Sequence, residues 1–212
     1  MFNHWIHKKL ANDKYKVILC SSSPRRLDIL KQLGINPIVE KSTFEEDFDK
    51  NNFDEPIDYV QATAREKLKD VVNRINSEKT IYLSADTVII CNNKIFEKPL
   101  TIEQNITMLK ELFDLQRNGE SIKIVTCCCL YNSFNEKTFE FNETSLIKLS
   151  TNLSDLDIIE YCKSGEGLEV AGGFKIQGFG MILFESIQGD FYNCVGLPGR
   201  LVFEKIGEII KT

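Results

Sequence analysis

Histidine is scarce in this chain, with two in 212 residues, and no C-x-x-C pair occurs among its seven cysteines. With no histidine near any cysteine, the zinc-ligand spacings are excluded. Basic charge is also lacking. A net charge of -5 argues against sequence-independent binding to polymeric nucleic acid, which needs cationic surface to displace counterions, so any nucleotide bound here is small. No apolar run approaches the ~18 residues of a membrane span, and the first residues lack the apolar core of a secretory signal. Arginine and serine are missing from residues 1–16, where Asp13 adds an acid, which weighs against a mitochondrial presequence. Repeats, low-complexity stretches and linkers are absent too.

What is present fits a globular α/β protein, with 42% hydrophobic and 27% charged residues. The length suits one sizeable domain, or two lobes sharing a core. Cys20, Cys91 and Cys127 to Cys129 fall in apolar, strand-like runs, which predicts buried reduced thiols and a cytoplasmic location. Residues 1–16 read as a leading helical extension, with Phe2, Trp5, Ile6 and Leu10 on one side. His4 and His7 have helical metal spacing but no third ligand in view, and are expected at the surface.

The organising stretch is Val17 to Leu33. Val17-Ile18-Leu19-Cys20 is a short apolar run met at once by a breaker, so a buried strand is expected. Ser23 is placed to cap a helix with Pro24 at its first position, and Gly34 follows Leu27, Leu30 and Leu33 where a left-handed C-terminal residue is wanted. Such a terminus carries free amide donors and partial positive charge, and Arg25 and Arg26 add two formal charges beside Ser21, Ser22 and Ser23. Two readings stand here: a polyanion site, or a capped junction with two solvated arginines.

Further on, Ile35 to Glu40 predicts a short strand, and Ser42 to Asp54 an acidic loop. Glu45, Glu46 and Asp47 are either solvated or gather a divalent cation, since magnesium accepts hard oxygen ligands. Pro56 opens a helix with the stripe Ile57, Val60, Ala64, Leu68, Val71 and Ile75; Lys67 lies off it, as a solvent lysine would. Asp86 interrupts the apolar run Ile81 to Cys91, a costly place for a carboxylate unless it is paired, metal-bound or at an exposed strand end. Asn92-Asn93 marks a turn, Ile95-Phe96 a return strand, and Thr101 with Gln104 a capping box. Strands follow at Ile122 to Tyr131 and Thr138 to Leu149, a Ser154-capped helix ends near Ser164-Gly165, Met181 to Ile187 reads as a strand, and a closing helix carries Leu201, Val202, Ile206 and Ile209.

Seven blocks arrive in one order: S-S-S-P-R-R at 21–26, F-E-E at 44–46, A-R-E-K at 64–67, A-D-T-V at 85–88, E-K-P at 97–99, A-G-G-F-K-I-Q-G at 171–178 and G-D-F-Y-N-C-V-G-L-P at 189–198. Together they resemble the Maf family of nucleoside triphosphate pyrophosphatases over nearly all of 17–212, a single Maf-like domain. The resemblance implies a mixed sheet flanked by helices, of the inosine-triphosphatase-like (Maf/Ham1) type, with a cleft between two lobes. It implies hydrolysis of a nucleoside triphosphate to monophosphate and pyrophosphate by a homodimer. It makes Asp86 the general base and Glu46 with Asp86 the place for a divalent metal, magnesium or manganese, and it leaves Asp86 as base, ligand or both. Arg25, Arg26, Lys67 and Lys98, with Ser21 and Ser23, would hold the triphosphate.

Base preference rests on three positions. Arg25, Thr87 and Gln177 are of the dTTP/UTP type, where the 7-methyl-GTP branch commonly has tryptophan, glutamine and glutamate. Glu169-Val170 departs from a usual aspartate-lysine pair, and Phe174-Lys175 resembles the 7-methyl-GTP branch. That branch and a non-catalytic regulator of cell division are the alternatives; the retained Asp86, Lys67 and Lys98 speak against the regulator.

Overall fold

The computed structural model describes residues 4–211; Phe2, expected on the leading helix, lies outside them. The element order is α1 (Trp5–Asn12), β1 (Lys16–Leu19), α2 (Pro24–Gln32), β2 (Ile38–Val39), α3 (Pro56–Ile75), β3 (Thr80–Cys91), β4 (Lys94–Phe96), α4 (Ile102–Arg117), β5 (Ile122–Asn132), β6 (Lys137–Leu149), α5 (Asp155–Lys163), β7 (Phe184–Gln188), α6 (Phe191–Val195) and α7 (Gly199–Ile209). Seven strands form one mixed sheet in the order β2-β1-β3-β5-β6-β7, with β4 on β3. β1 runs parallel to both β2 and β3, while β4 on β3 and β7 on β6 are antiparallel. The expected α/β class, a mixed sheet with flanking helices, is what the structure has.

Two compact units divide the described residues: one holds 4–86, 126–143 and 196–211, the other 87–125 and 144–195. In the first, β1 and the start of β3 pair in register, Val17 with Ile81 and Leu19 with Leu83, all four buried. α3 keeps its expected stripe, burying Val60, Ala64, Leu68 and Val71; each such side chain taken from water contributes about 1.5–3 kcal/mol for the larger aliphatics. It ends at Asn76, which takes the left-handed C-terminal conformation at φ 39. In the second unit, Ile89, Phe96, Leu109, Leu112, Ile122, Ile124, Leu149 and Ile158 form one core cluster.

α1 forms where the leading helix is expected, burying Ile6 and Leu10. It lies close on α7, because a Cβ on Gly207 would sit 2.7 Å from Ile6 Cδ1. The surface placement of its histidines is corrected. His4 is the N-cap, its Nδ1 accepting from the Ile6 amide at 3.3 Å, and His7 Nε2 lies 2.7 Å from the Leu33 carbonyl oxygen at the end of α2. A second correction concerns Met181 to Ile187. Phe179–Leu183 is a 3₁₀ helix and the strand begins only at Phe184, because the Glu166 carboxylate accepts from the Phe179 and Gly180 amides at 3.0 and 2.9 Å and winds that turn.

Candidate active site

The loop from Cys20 to Ser23 leaves β1 and enters α2 as its residues dictate: Ser23 is the N-cap, Pro24 opens the helix, and Gly34 takes φ +74 behind it. Ser21 Oγ accepts from the Ser23 amide at 3.2 Å and from Arg26 Nη1 at 3.1 Å. With both acceptor positions of that oxygen engaged, its O–H is left to donate. Ser23 Oγ accepts from the Arg26 amide at 3.5 Å.

The two arginines differ. Arg26 is anchored, its Nε donating to the Gly196 carbonyl at 2.8 Å; burial pushes its pKa down while the charges of Asp86 and Glu46 push it up. Arg25 is half-buried and meets no acid among the described residues; burial, and then the neighbouring charge of Arg26, push its pKa down. An anion placed there would relieve both penalties.

Opposite charge is organised around Lys67. Its Nζ donates to Asp86 Oδ1 at 2.7 Å and to Glu46 Oε1 at 2.8 Å. The lysine and aspartate side chains are 12% and 11% exposed and the glutamate 42%, so one half of this triad is buried and the other open. Lys67 is therefore no solvent lysine. It lies off the apolar stripe because it faces the carboxylate in the middle of β3, and that pairing answers the cost of burying Asp86. Glu45, Glu46 and Asp47 do not converge: among the described residues no three acidic, histidine or cysteine groups gather as a metal set, and Glu46 alone of that trio reaches Lys67.

Lys98, Thr87 and Gln177 belong to the second unit. Thr87 is half-buried in β3, next along the chain from Asp86. Lys98 is exposed, and the backbone on either side of it is tied to the glycine-rich block: the Glu97 carbonyl accepts from Gly172 at 3.0 Å and the Pro99 carbonyl from Glu169 at 3.3 Å. Gly172 and Gly173 both sit at φ +74, and a Cβ on Gly173 would fall 2.0 Å from Asn105 Oδ1, so this block is glycine for close approach. Gln177 is exposed a few residues on. Phe174, which departs from the pyrimidine pattern, is buried with its ring 5.0 Å from that of Phe184, so the departure answers to core packing.

Sequence reasoning missed Gly196, whose carbonyl fixes Arg26 from 170 residues away, and it missed Asp70 and Arg74 on α3. Only the polar spacing of Lys67, Asp70 and Arg74 along one helix could have pointed to the last two.

The fold and this arrangement define an α/β protein with a cationic strand-loop-helix junction beside a lysine-bridged pair of carboxylates. A family model described as Maf-like protein matches residues 16–209, and the chain belongs to the Maf family. It is 38% identical over 210 residues to the dTTP/UTP pyrophosphatase of Saccharomyces cerevisiae, covering 90% of this chain and 89% of that one. It is 36% identical to the dTTP/UTP pyrophosphatase of Clostridium perfringens (strain SM101 / Type A), over 90% and 95% of the two chains. It is 34% identical to that of Schizosaccharomyces pombe, over 97% and 88%. Among solved structures, a nucleoside-triphosphatase / dITP/XTP pyrophosphatase from Mycobacterium abscessus matches with a TM-score of 0.45 at 11% identity, covering 92% of this chain and 96% of that one.

Proposed function

We propose that this chain hydrolyses nucleoside triphosphates, dTTP and UTP in preference, to the nucleoside monophosphate and pyrophosphate, removing excess or non-standard nucleotides. The observation that carries the reading is the unmatched charge of Arg25 on a helix N-terminus in the same unit as the Lys67–Asp86 pair. The names of the relatives at 34–38% identity support it.

In this reading Arg25, Arg26 and Lys67 hold the triphosphate, the Ser21 and Ser23 hydroxyls donate to phosphoryl oxygens, and Lys98 takes its phosphate-binding role from the family resemblance. Asp86 takes the proton of a water whose oxygen attacks the α-phosphorus; the bond from that phosphorus to the bridging oxygen breaks, and pyrophosphate leaves. The family resemblance assigns base preference to Arg25, Thr87 and Gln177. Glu46 and Asp86 suit a divalent cation, magnesium or manganese: two carboxylates converge on one ammonium, so their oxygens are no further apart than the two bonds to it allow. Such a cation neutralises charge on the phosphoryl oxygens. The homodimer enters on the resemblance, and the cytoplasmic location on seven free cysteines, six of them buried. Among the described residues no helix is long and apolar enough to cross a membrane.

Incubation of the protein with a nucleotide panel and magnesium or manganese, with products resolved by ion-exchange chromatography, tests the proposal. Equimolar monophosphate and pyrophosphate from dTTP and UTP are expected. Diphosphate with orthophosphate would overturn attack at the α-phosphorus, and no turnover of any nucleotide would favour a non-catalytic regulator.

A further inference from the structure

The segment that carries Glu46 is held by a row of polar side chains along α3. Arg74 Nη2 donates to the Lys41 carbonyl at 2.8 Å, and its Nη1 lies 3.7 Å from Glu40 Oε2. One turn back, the Asp70 carboxylate accepts three hydrogen bonds: from Ser42 Oγ at 3.0 Å, the Thr43 amide at 2.8 Å and Thr43 Oγ1 at 2.9 Å. One turn further back, Lys67 takes Glu46 at 2.8 Å. Positions 67, 70 and 74 lie on one side of a helix, so a single stripe meets residues 40 to 46 in sequence order.

The tip of the segment is closed as well. Ser42 Oγ accepts from the Phe44 amide at 3.1 Å, and the Phe44 and Phe48 rings, on either side of Glu45-Glu46-Asp47, lie 5.3 Å apart. A chain of rings continues from Phe48 to Phe53 at 5.8 Å and from Phe53 to buried Tyr59 on α3 at 5.7 Å. Without the Asp70 bonds the stretch between β2 and Phe44 would keep Arg74 and the bond from the Glu40 amide to the Leu19 carbonyl at 3.0 Å, contacts that reach Glu40 and Lys41 but not Ser42 or Thr43. A carboxylate that is 42% exposed keeps its place on Lys67 only if its backbone is already in register.

We infer that Asp70 is a positioning residue: it latches Ser42 and Thr43 to α3 and thereby sets Glu46 against the Lys67–Asp86 pair. The inference rests on the proposed role of Glu46 for its effect on turnover, and on geometry alone for its effect on the segment. Its action passes wholly through Glu46, so losing Asp70 should matter to catalysis only while Glu46 is present.

The test combines amide hydrogen exchange with a double-mutant cycle. In Asp70→Ala, amides of residues 42–48 are expected to exchange at least about tenfold faster, with β1 and the buried face of α3 unchanged. kcat/KM for dTTP is expected to fall by about the same factor as in Glu46→Ala, and Asp70→Ala added to Glu46→Ala to lower it little further, because coupled residues are not additive. Asp70→Asn, which keeps one accepting oxygen, should recover part of both effects. Should Asp70→Ala fold poorly, Ser42→Ala with Thr43→Val removes two of the three bonds from the exposed side and carries the same expectations. Unchanged exchange at 42–48 overturns the latch. Fully additive losses overturn action through Glu46. If the wild-type protein turns over no nucleotide, the functional proposal fails while the exchange arm still decides the latch.

Discussion

At the scale of single residues, the most consequential contact is Lys67 Nζ between Asp86 and Glu46. Asp86→Asn keeps the shape but can neither take the proton of a water nor supply an anionic metal ligand. It is expected to lower kcat by on the order of a hundredfold or more in a protein that still folds, measured by steady-state turnover of dTTP. Lys67→Met is a different experiment, because it leaves the buried Asp86 carboxylate without its closest counter-ion. Stability in urea is expected to drop by about 3 kcal/mol, the low end for breaking a buried pair, since the charge of Arg26 still reaches Asp86. Adding Asp86→Asn to Lys67→Met should restore most of that loss. A Lys67→Met protein as stable as the wild type would mean that the pair is not held together in solution. Base choice is a separate matter. An amide at Gln177 offers a donor and an acceptor, matching the O4 acceptor and N3 donor of uracil or thymine. A glutamate offers acceptors only, so Gln177→Glu is expected to cut kcat/KM for UTP and dTTP by about tenfold to a hundredfold, with 7-methyl-GTP falling less or rising. Equal losses across the panel would remove Gln177 from base recognition.

At the scale of elements, the helix termini were legible because their chemistry is local. Ser154 and Asp157 form the reciprocal capping box of α5, with the Ser154 amide donating to the Asp157 carboxylate at 2.8 Å. Thr101 caps α4 as its sequence predicts, though Gln104 Oε1 accepts from the Leu100 amide and not from the cap residue, a difference of one position that spacing does not resolve. What escaped the sequence is what depends on distant partners. The turn at 179–183 is wound by Glu166, and Lys67 looked solvated because the apolar stripe of α3 says nothing about a carboxylate on β3. The blocks at 97–99 and 171–178 were legible only by resemblance; nothing in either predicts that Glu97 and Pro99 accept from Gly172 and Glu169. The glycines there make a stability prediction. Gly173→Ala combines a positive φ, which costs an L-residue about 1–2 kcal/mol, with a Cβ 2.0 Å from Asn105 Oδ1. A total of about 2 kcal/mol or more is expected in chemical denaturation, and only the backbone part, about 1 kcal/mol, when Asn105→Ala has first removed the clash. If Gly173→Ala costs the same in both backgrounds, Asn105 is not what the glycine makes room for.

At the scale of the whole molecule, buried thiols and paired carboxylates set opposite limits on pH. Glu140, hydrogen-bonded by Arg65 at 2.6 and 2.7 Å, and Asp70, bonded by Ser42 and Thr43, have pKa values below their ordinary 4.5 and 3.8. A depressed carboxyl pKa contributes stability above the unfolded value, and that stability is lost as pH falls through the folded one, so the acid limb begins near those ordinary values and deepens below them. The thiols act in the other direction. Burial pushes Cys127 and Cys129 up to about 12 and Cys162 and Cys194 to about 11, and raises Cys20 and Cys128 further, from an ordinary 9.0. Above pH 9 the unfolded chain gives up thiol protons that the folded chain keeps, so the folded state binds more protons and stability falls as pH rises through the window from about 9 to about 12. The urea midpoint is therefore expected to be flat from about pH 6 to 8 and to decline steeply by pH 10. Replacing Cys127 and Cys129 by alanine should make the decline shallower while lowering stability at pH 7, because two buried sulfurs are lost from the core. Thiol reagent should label few of the seven cysteines in the native protein at pH 8 and all of them in denaturant. A urea midpoint that holds level to pH 11 would show that these sulfurs are open to solvent, and the buried, reduced core they form in β5 would have to be abandoned.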